Sequence, residues 1–277
     1  ILPGDRLHLQ HGPIDLIIGA DGDRNRAFAA AQTRFETVLA EIVTELPAMR
    51  AQSPALRAGG TIPRKMQDAV ARFDDLAFVT AMAAVAGAVA ETVLAAMIQS
   101  ADLDRAYVNN GGDIAFHLAP DQRFKMAMAS HNGRGLGHIN IGHDDPVRGI
   151  ATSGRHGRSL SLGIADSVTV LAQTAAVADV AATLIANAVD LPGHPQIKRS
   201  PATKHDDTSD LQDHLIVTGC GPLTKTETAT ALANGTTRAQ QFLTNKHITG
   251  ACLFLNDQSR ATGANFATLQ QGTLEHA

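Results

Sequence analysis

Ser167-Val-Thr-Val-Leu-Ala-Gln-Thr174-Ala-Ala-Val-Ala-Asp179-Val-Ala-Ala-Thr183 is the stretch on which the reading of the fold turns. It opens as a strand rich in β-branched residues and passes at Thr174 into an alanine-rich helix of the kind that packs in an interior. Asp179 and Thr183 stand four residues apart, so they share one face of that helix. An ionised carboxylate in a buried helix is costly unless it is paired or bound to a metal. A carboxylate and a hydroxyl are hard oxygen ligands suited to Mg²⁺, with carbonyls, waters or phosphate oxygens completing the octahedron. A purely structural role fits the same residues: Asp179 bonds a neighbouring backbone, and Thr183 bonds back into its own helix.

Working outward, residues 7–11 and 14–19 are β-prone runs separated by Gly12-Pro13, which predicts a hairpin. Phe28, Ala31, Phe35, Val38, Leu39, Ile42 and Leu46 recur at spacings of three and four, which predicts a helix from Arg24 to about Pro47. Residues 76–98 form a long apolar run rich in Ala and Gly, read as a central buried helix rather than a membrane span because Thr80, Glu91 and Thr92 interrupt it. Strands are expected over residues 105–109, 114–118, 124–129, 137–142 and 147–152, which make the middle third a sheet. After the strand and helix of the opening stretch come a strand over 215–218, a helix over 224–243 and a closing strand over 248–255. The fold class predicted is mixed α+β, as one continuous domain over residues 1–277. Two loop-like intervals, 47–63 and 190–213, are expected to be mobile and to serve as lids.

Composition narrows the function. The chain of 277 residues carries 23 Lys and Arg against 27 Asp and Glu, a net charge of -4, so it lacks the basic field of a protein that grips nucleic acid. Aromatic residues make up 4% and Trp is absent, too few for a broad stacking platform. Cys220 and Cys252 are the only cysteines and have no metal-ligand spacing, so a reduced, cytoplasmic setting is expected. No signal-peptide pattern is seen at the start, and neither a nucleic-acid partner nor a membrane is expected. The 12 histidines are scattered; His138 and His143 lack the parity to share a strand face. Residues 131–134 read as an exposed turn. Cys220, at a helix entrance where a thiol pKa can be lowered, lacks an evident base and reads as an inert small residue.

Two further motifs suit a ligand. In Asn109-Asn110-Gly111-Gly112-Asp113, two glycines let the backbone approach a ligand and take positive φ, while Asn and Asp orient polar groups; an ordinary hairpin turn fits equally well. Thr152-Ser153-Gly154-Arg155 ends a strand in hydroxyls, a glycine and a cation, which suits phosphate or a capped loop facing solvent.

These three stretches, in this order, resemble the ApbE-like proteins, formerly called thiamine-biosynthesis lipoproteins, whose characterised members are FAD:protein FMN transferases. The resemblance runs over residues 74–188. Its most specific part is the Ser-x-Thr-Val strand followed by Ala178-Asp179-x-x-Ala182-Thr183, similar to the family's metal-site helix. It implies the ApbE-like mixed sheet-and-helix domain, with Asp179 and Thr183 as Mg²⁺ ligands. It further implies that Asn109, Gly111, Gly112, Asp113, Thr152, Ser153 and Gly154 line an FAD or FMN site.

Two departures qualify this. The family's Ala-Lys-Gly element, whose alanine carbonyl completes the metal site, corresponds to Val85-Ala86-Gly87, without the lysine. The His-x-x-Asp-Pro-x-Thr-Gly segment is replaced by residues 155–166, where Asp166 stands in for its acid. The resemblance therefore implies an uncharacterised cytosolic branch. Three functions compete: a Mg²⁺-dependent transfer of FMN from FAD to a protein acceptor, a flavin or nucleotide binder without transfer, and an enzyme acting on another small phosphorylated or carboxylated metabolite. In the first, Arg155 stabilises charge and Asp166 or His156 manages the proton. The missing polar groups predict poor transfer.

Overall fold

The computed structural model describes residues 1–52, 57–73, 77–130 and 132–268. In chain order its elements are β1 (Leu7–His11), β2 (Ile14–Gly22), α1 (Arg24–Thr44), α2 (Leu46–Arg50), α3 (Thr61–Val70), a 3-10 turn (Ala81–Ala84) running into α4 (Val85–Ser100), β3 (Leu103–Asn110), β4 (Asp113–Leu118), β5 (Arg123–Ala129), β6 (Gly135–Gly142) and β7 (Gly149–Ser153). Then follow β8 (Ser167–Ala172), α5 (Ala175–Ala188), β9 (Ile197–Pro201), a 3-10 turn (Ala202–Lys204), β10 (Leu215–Cys220), α6 (Lys225–Thr244), β11 (Gly250–Leu255), β12 (Gln258–Gly263) and β13 (Phe266–Thr268). The class is α+β.

Eight strands form one antiparallel sheet in the order β1-β2-β3-β4-β7-β8-β11-β12. The hairpin at Gly12-Pro13 closes as its sequence predicts, with His11 paired to Ile14. Strand alternation gives the sheet two unlike faces. Leu16, Ile18, Ala106, Val108, Ala151, Val168, Val170 and Leu253 join the main core, which the helices cover. Phe116, Leu118, Ile150, Leu171, Cys252 and Phe254 point the other way, into a second core shared with Met128, Ile139 and Ile141 of a separate small sheet, β13-β6-β5. The middle third is thus two sheets, where one was expected. The sequence reading also ended the chain's strands at β11, whereas β12 and β13 follow it.

The central helix starts later than predicted. Thr80 is extended and its hydroxyl accepts the Met82 N–H, so the helical turns begin at Ala81; Leu76 lies outside the described residues. The stretch Ala81–Ser100 is long and apolar enough to cross a bilayer by length and composition, yet Ala88, Val89, Ala90, Val93 and Met97 are buried against the protein's own sheet and helices. The expected loop over 47–63 is helical at both ends, in α2 and at the start of α3, and non-helical at residues 51–52 and 57–60. Pro47 sits in the first turn of α2, and Pro63 in the first turn of α3, where a missing N–H costs nothing. The Glu45 carboxylate accepts the N–H groups of Gly59 and Gly60, and Glu41 accepts that of Ile62, which anchors the entry to α3. Residues 53–56 of that interval lie outside the described residues. The 190–213 excursion also contains more structure than predicted: β9 pairs with β10, Ala202 is fully buried, and the Thr80 hydroxyl donates to Asp210.

Helices α4 and α5 meet at contact distance because glycine permits it. A Cβ on Gly87 of α4 would overlap the Ala175–Ala176 backbone at the start of α5, and Gly149 of β7 lets the same turn approach the sheet. That closeness lets Glu91 of α4 accept the Ala176 N–H at 2.7 Å while its other oxygen pairs with Lys65 at 3.2 Å. It also lets α5 reach the start of α4 in return.

Candidate functional site

The turn between β3 and β4 is where the chemistry gathers. Asn110 pairs with Asp113 across it, and Gly111 and Gly112 take φ of +68° and +115°, a backbone that favours glycine at both positions. Asn109 closes the turn by accepting the Gly112 N–H at 2.8 Å. The turn lies at the end of the sheet, so alternation sends its residues to both faces. Asn109 projects to the side away from the helices, opposite Ile17, while Asn110 and Asp113 project towards them.

On the helix side Asp113 lies near enough to Asp179 for its charge to act on it. The Asp113 carboxylate accepts the Thr152 N–H at 3.2 Å, which fastens the turn to β7. Asp179, one turn into α5, accepts the Gly87 N–H at 3.0 Å and also bonds the Ala86 N–H, so it caps the start of α4, whose own N-cap residue supplies no side chain. Asn110, buried, donates to the Ala86 carbonyl at 3.2 Å. Burial pushes the Asp179 carboxyl well above its ordinary range and the nearby Asp113 charge adds to this; the two backbone N–H groups act against it. Burial likewise raises Asp113, opposed by the Thr152 N–H and by the charge of Arg158. Two desolvated carboxylates thus lie close enough for their charges to interact, a pairing that favours a bound cation or a shared proton. Thr183 follows Asp179 by one helical turn on the same face and is partly exposed.

On the opposite face a cavity of ≈ 330 Å³ is lined by Asp15, Ile17, Asn109, Gly111, Gly112 and Arg158. Its size is that of sites for small organic ligands. The Arg158 guanidinium lies over Gly111, where any β-carbon would collide with it, and donates to the Pro13 carbonyl at 3.2 Å. Thr152 borders the same turn: its Cβ is 4.0 Å from where a Gly112 Cβ would stand, and its hydroxyl bonds that of Thr169 at 3.0 Å. Asp15 also bonds His8 Nε2 at 2.7 Å.

The structure therefore brings Asn109, Gly111, Gly112, Asp113, Thr152 and Asp179 together. Arg155 and Asp166 meet each other elsewhere. The Arg155 Nε–H and Nη2–H both donate to Asp166 Oδ1, at 2.9 and 2.6 Å, His156 Nε2 lies 3.1 Å from the same oxygen, and the Asn256 N–H donates to Oδ2 at 2.6 Å. This knot ties the loop after β7 to the β11–β12 turn, and neither Arg155 nor Asp166 lines the cavity. Gly154 sits against the Asp166 backbone, which a side chain at that position would strike. Ser153, paired with Val168, leads into that loop.

Cys220 has its thiol pushed up by burial, with Arg155 acting against the shift, so the lowered pKa considered for a helix entrance is not found. Of residues 131–134, His131 lies outside the described residues, and Arg134 bonds Asp257 at 3.3 Å. Sequence reasoning missed Arg158, Asp15 and Ile17. Arg158 follows Gly154 closely enough in the chain that its charge was a usable signal, whereas Asp15 and Ile17 reach the site only through strand pairing.

An archaeal UPF0280 protein of Archaeoglobus fulgidus is 31% identical over 160 residues, 58% of this chain and 64% of the relative. A UPF0280 protein of Methanothrix thermoacetophila is 38% identical over 109 residues, 39% of this chain and 45% of that protein. The chain spans about half the length of such curated relatives. Among solved structures, "Flavin Transferase ApbE from Vibrio cholerae" aligns over 94% of this chain and 98% of its own with a TM-score of 0.47 and 14% identity. A sequence-family model described as "AbpE bacteria" matches residues 1–261. The chain belongs to this ApbE-like family.

Proposed function

We propose that the protein binds a flavin nucleotide, FAD or FMN, in the cavity beside Gly111 and Gly112, together with Mg²⁺ on the opposite side of the same turn. The observation that carries this reading is the turn itself, which presents a ligand-sized cavity on one face and the Asp113–Asp179 carboxylate pair on the other. Membership of the ApbE-like family supports the choice of flavin. The donor set fits the metal. Two carboxylates and the Thr183 hydroxyl are hard oxygens, and among the described residues no group of three or more His, Cys, Asp or Glu offers a softer alternative. Bound there, Mg²⁺ would neutralise the Asp113–Asp179 carboxylate pair.

Each residue of the chain then has a defined task. Gly111 and Gly112 allow the ligand to approach the backbone, Asn109 holds the turn in shape, and Arg158 supplies positive charge at the cavity wall. Thr152 keeps Asp113 in place from β7 through its N–H, and Ser153 and Gly154 continue that strand end. Asp113, Asp179 and Thr183 hold the cation.

Binding is favoured over FMN transfer. Arg155 and Asp166, the groups that would stabilise charge and manage a proton, are committed to each other, and Asp166 also takes the Asn256 N–H. A protein acceptor therefore belongs to the less favoured transfer reading. The free thiols Cys220 and Cys252 support a cytoplasmic setting.

The test is absorbance and intact mass of the natively purified protein, before and after addition of FAD or FMN with Mg²⁺. Retention or uptake of one flavin per chain, weakened at least about tenfold by Arg158→Ala, is the expected result. A protein that stays colourless under all these conditions overturns the reading. Efficient covalent transfer of FMN to an acceptor, abolished by Asp166→Ala, overturns the preference for binding.

A further inference from the structure

The face of the sheet away from the helices is only partly covered. The second core, under the β13-β6-β5 sheet, draws on β3, β4, β7, β8 and β11 but takes no residue from β1 or β2. Along the uncovered β2–β3 ladder, alternation sends outward first the Ile17–Asn109 pair, which borders the flavin cavity, and then, two residues on, the Gly19–Tyr107 pair. That step is about 7 Å along the strands. It leads to a second, smaller cavity of ≈ 130 Å³.

Three arginines converge on this cavity: Arg6 from the segment before β1, Arg24 from the start of α1, and Arg105 from β3. Two carboxylates oppose them. Arg105 donates to Asp21 Oδ2 through Nε at 2.9 Å and Nη2 at 2.6 Å, and its guanidinium lies 5.7 Å from the centre of the Phe124 ring, which fixes its plane. Arg24 donates to the Ala20 carbonyl at 2.8 Å and reaches Asp5 at 3.1 Å and Asp21 at 3.6 Å. Asp5 is 77% exposed, so water screens its pairing with Arg24 and makes it worth little. Arg6 bonds the Pro3 carbonyl through Nε and has no carboxylate partner among the described residues. Three positive charges against two negative leave an excess of one. The remaining guanidinium N–H groups form the forked donor set that matches a phosphate or a carboxylate.

The cavity is also shaped. Gly19 forms part of its lining because the Tyr107 ring lies against that residue, where any β-carbon would overlap the ring. Tyr107 in turn meets Phe124 edge-on at 6.2 Å, so two aromatic rings wall the side facing the small sheet. A volume of ≈ 130 Å³ falls below that of sites for whole organic ligands and suits one oxyanion-bearing group.

We infer that this cavity is an oxyanion site separate from the flavin cavity, taking the phosphate or carboxylate of a small molecule. Arg6 and Arg24 donate to the oxyanion, Asp21 and Phe124 hold Arg105 ready, and the Tyr107 ring closes the side. The site does not depend on flavin binding.

Tyr107 makes it testable without a label. It is the only tyrosine of a chain that has no tryptophan, so all tyrosine emission comes from the wall of this cavity. The purified protein is titrated with inorganic phosphate and, separately, with acetate, against sodium chloride at equal ionic strength. A saturable change in emission with phosphate, acetate or both, absent with chloride, is expected, and the stronger of the two identifies the group the site prefers. In Arg6→Gln and Arg24→Gln the midpoint should rise at least about tenfold. A response that chloride reproduces, or one that both variants retain unchanged, overturns the site. If Arg24→Gln loses its far-ultraviolet circular dichroism, Arg6→Gln alone decides, because among the described residues the Arg6 side chain contributes one hydrogen bond, to the Pro3 carbonyl. Flavin uptake by the same variants is measured in parallel. A lost phosphate response with flavin uptake intact shows two sites, and the reverse pattern counts against the flavin reading alone.

Discussion

Asp166 and Asp179 lie thirteen positions apart in sequence on either side of β8, both partly exposed, yet their surroundings are opposite. Asp166 is saturated with partners: Arg155, His156 and the Asn256 N–H use both its oxygens. Asp179 lies within reach of another carboxylate's charge and, among the described residues, is held by the Gly87 and Ala86 N–H groups. Removing a carboxylate from its cationic partners leaves their charge uncompensated and destabilises the fold. One placed beside a like charge stabilises it less than a neutral isostere does, and such an arrangement persists where a ligand supplies the missing positive charge. The first reads as architecture and the second as a site.

The largest effect should come from separating the two helices that create the Asp179 environment. Gly87→Ala, in α4, places a methyl group into the Ala175–Ala176 backbone at the start of α5, which cannot yield as a flexible side chain would. We expect a loss of about 3 kcal/mol in denaturant unfolding and the loss of any Mg²⁺ response, because Asp179 is displaced from the N–H at that position. A variant as stable as the wild type would show that α4 and α5 are not packed this closely.

Next is the saturated carboxylate. Asp166→Ala leaves Arg155, whose side chain is 18% exposed, without its partner, and releases the Asn256 N–H. The expected cost is about 2 kcal/mol, below that of a fully buried pair because some solvent reaches it. The same measurement on Asp113→Asn should give the opposite sign. Without divalent cation the amide removes a like charge while still accepting the Thr152 N–H, so stability should rise by about 1 kcal/mol. With Mg²⁺ the wild type should gain thermal stability and Asp113→Asn should not. Equal Mg²⁺ responses in the two proteins would remove the metal from the reading.

The contrast also marks how far the sequence could be read. The strand-to-helix stretch around Asp179, the hairpin at Gly12-Pro13 and the apolar stripe of α1 are local patterns, and the structure follows them. Helix α3 was missed because Gly59-Gly60 and Pro63 look like breakers, although a proline in the first turn is compatible with a helix and Ile62, Met66, Ala69 and Val70 mark its buried stripe. The division of the middle strands between two sheets was not legible, since β5 and β6 alternate much as their neighbours do and only long-range pairing separates them. The site divides in the same way. The Gly111-Gly112 turn announces itself locally, whereas the approach of Asp113 to Asp179, and of Arg158 to Gly111, depends on contacts between distant segments.

The smallest effect sharpens the comparison with a third carboxylate. Glu227, in the first turn of α6, accepts the Thr224 N–H at 2.7 Å and the Thr224 hydroxyl at 2.8 Å, and its other oxygen meets His194 Nε2 at 3.0 Å. It is the reciprocal half of a capping box. Like Asp166 it is well supplied with partners, but it stands at the surface, where solvent weakens each contact. The His194 hydrogen bond, followed by the Thr224 bonds, brings its carboxyl down to about 2 from an ordinary value of 4.5. A carboxyl whose folded value lies below its unfolded one binds fewer protons when folded. It therefore contributes stability that is fully present above pH 4.5 and fades as pH falls towards 2. In Glu227→Gln the amide keeps one acceptor for the cap but does not titrate. Its unfolding free energy should fall below that of the wild type near neutral pH, and the two should converge through that acid window. A wild-type and variant difference that stays constant from neutral pH down to pH 2 would show that the partners of Glu227 act through geometry and not through its charge.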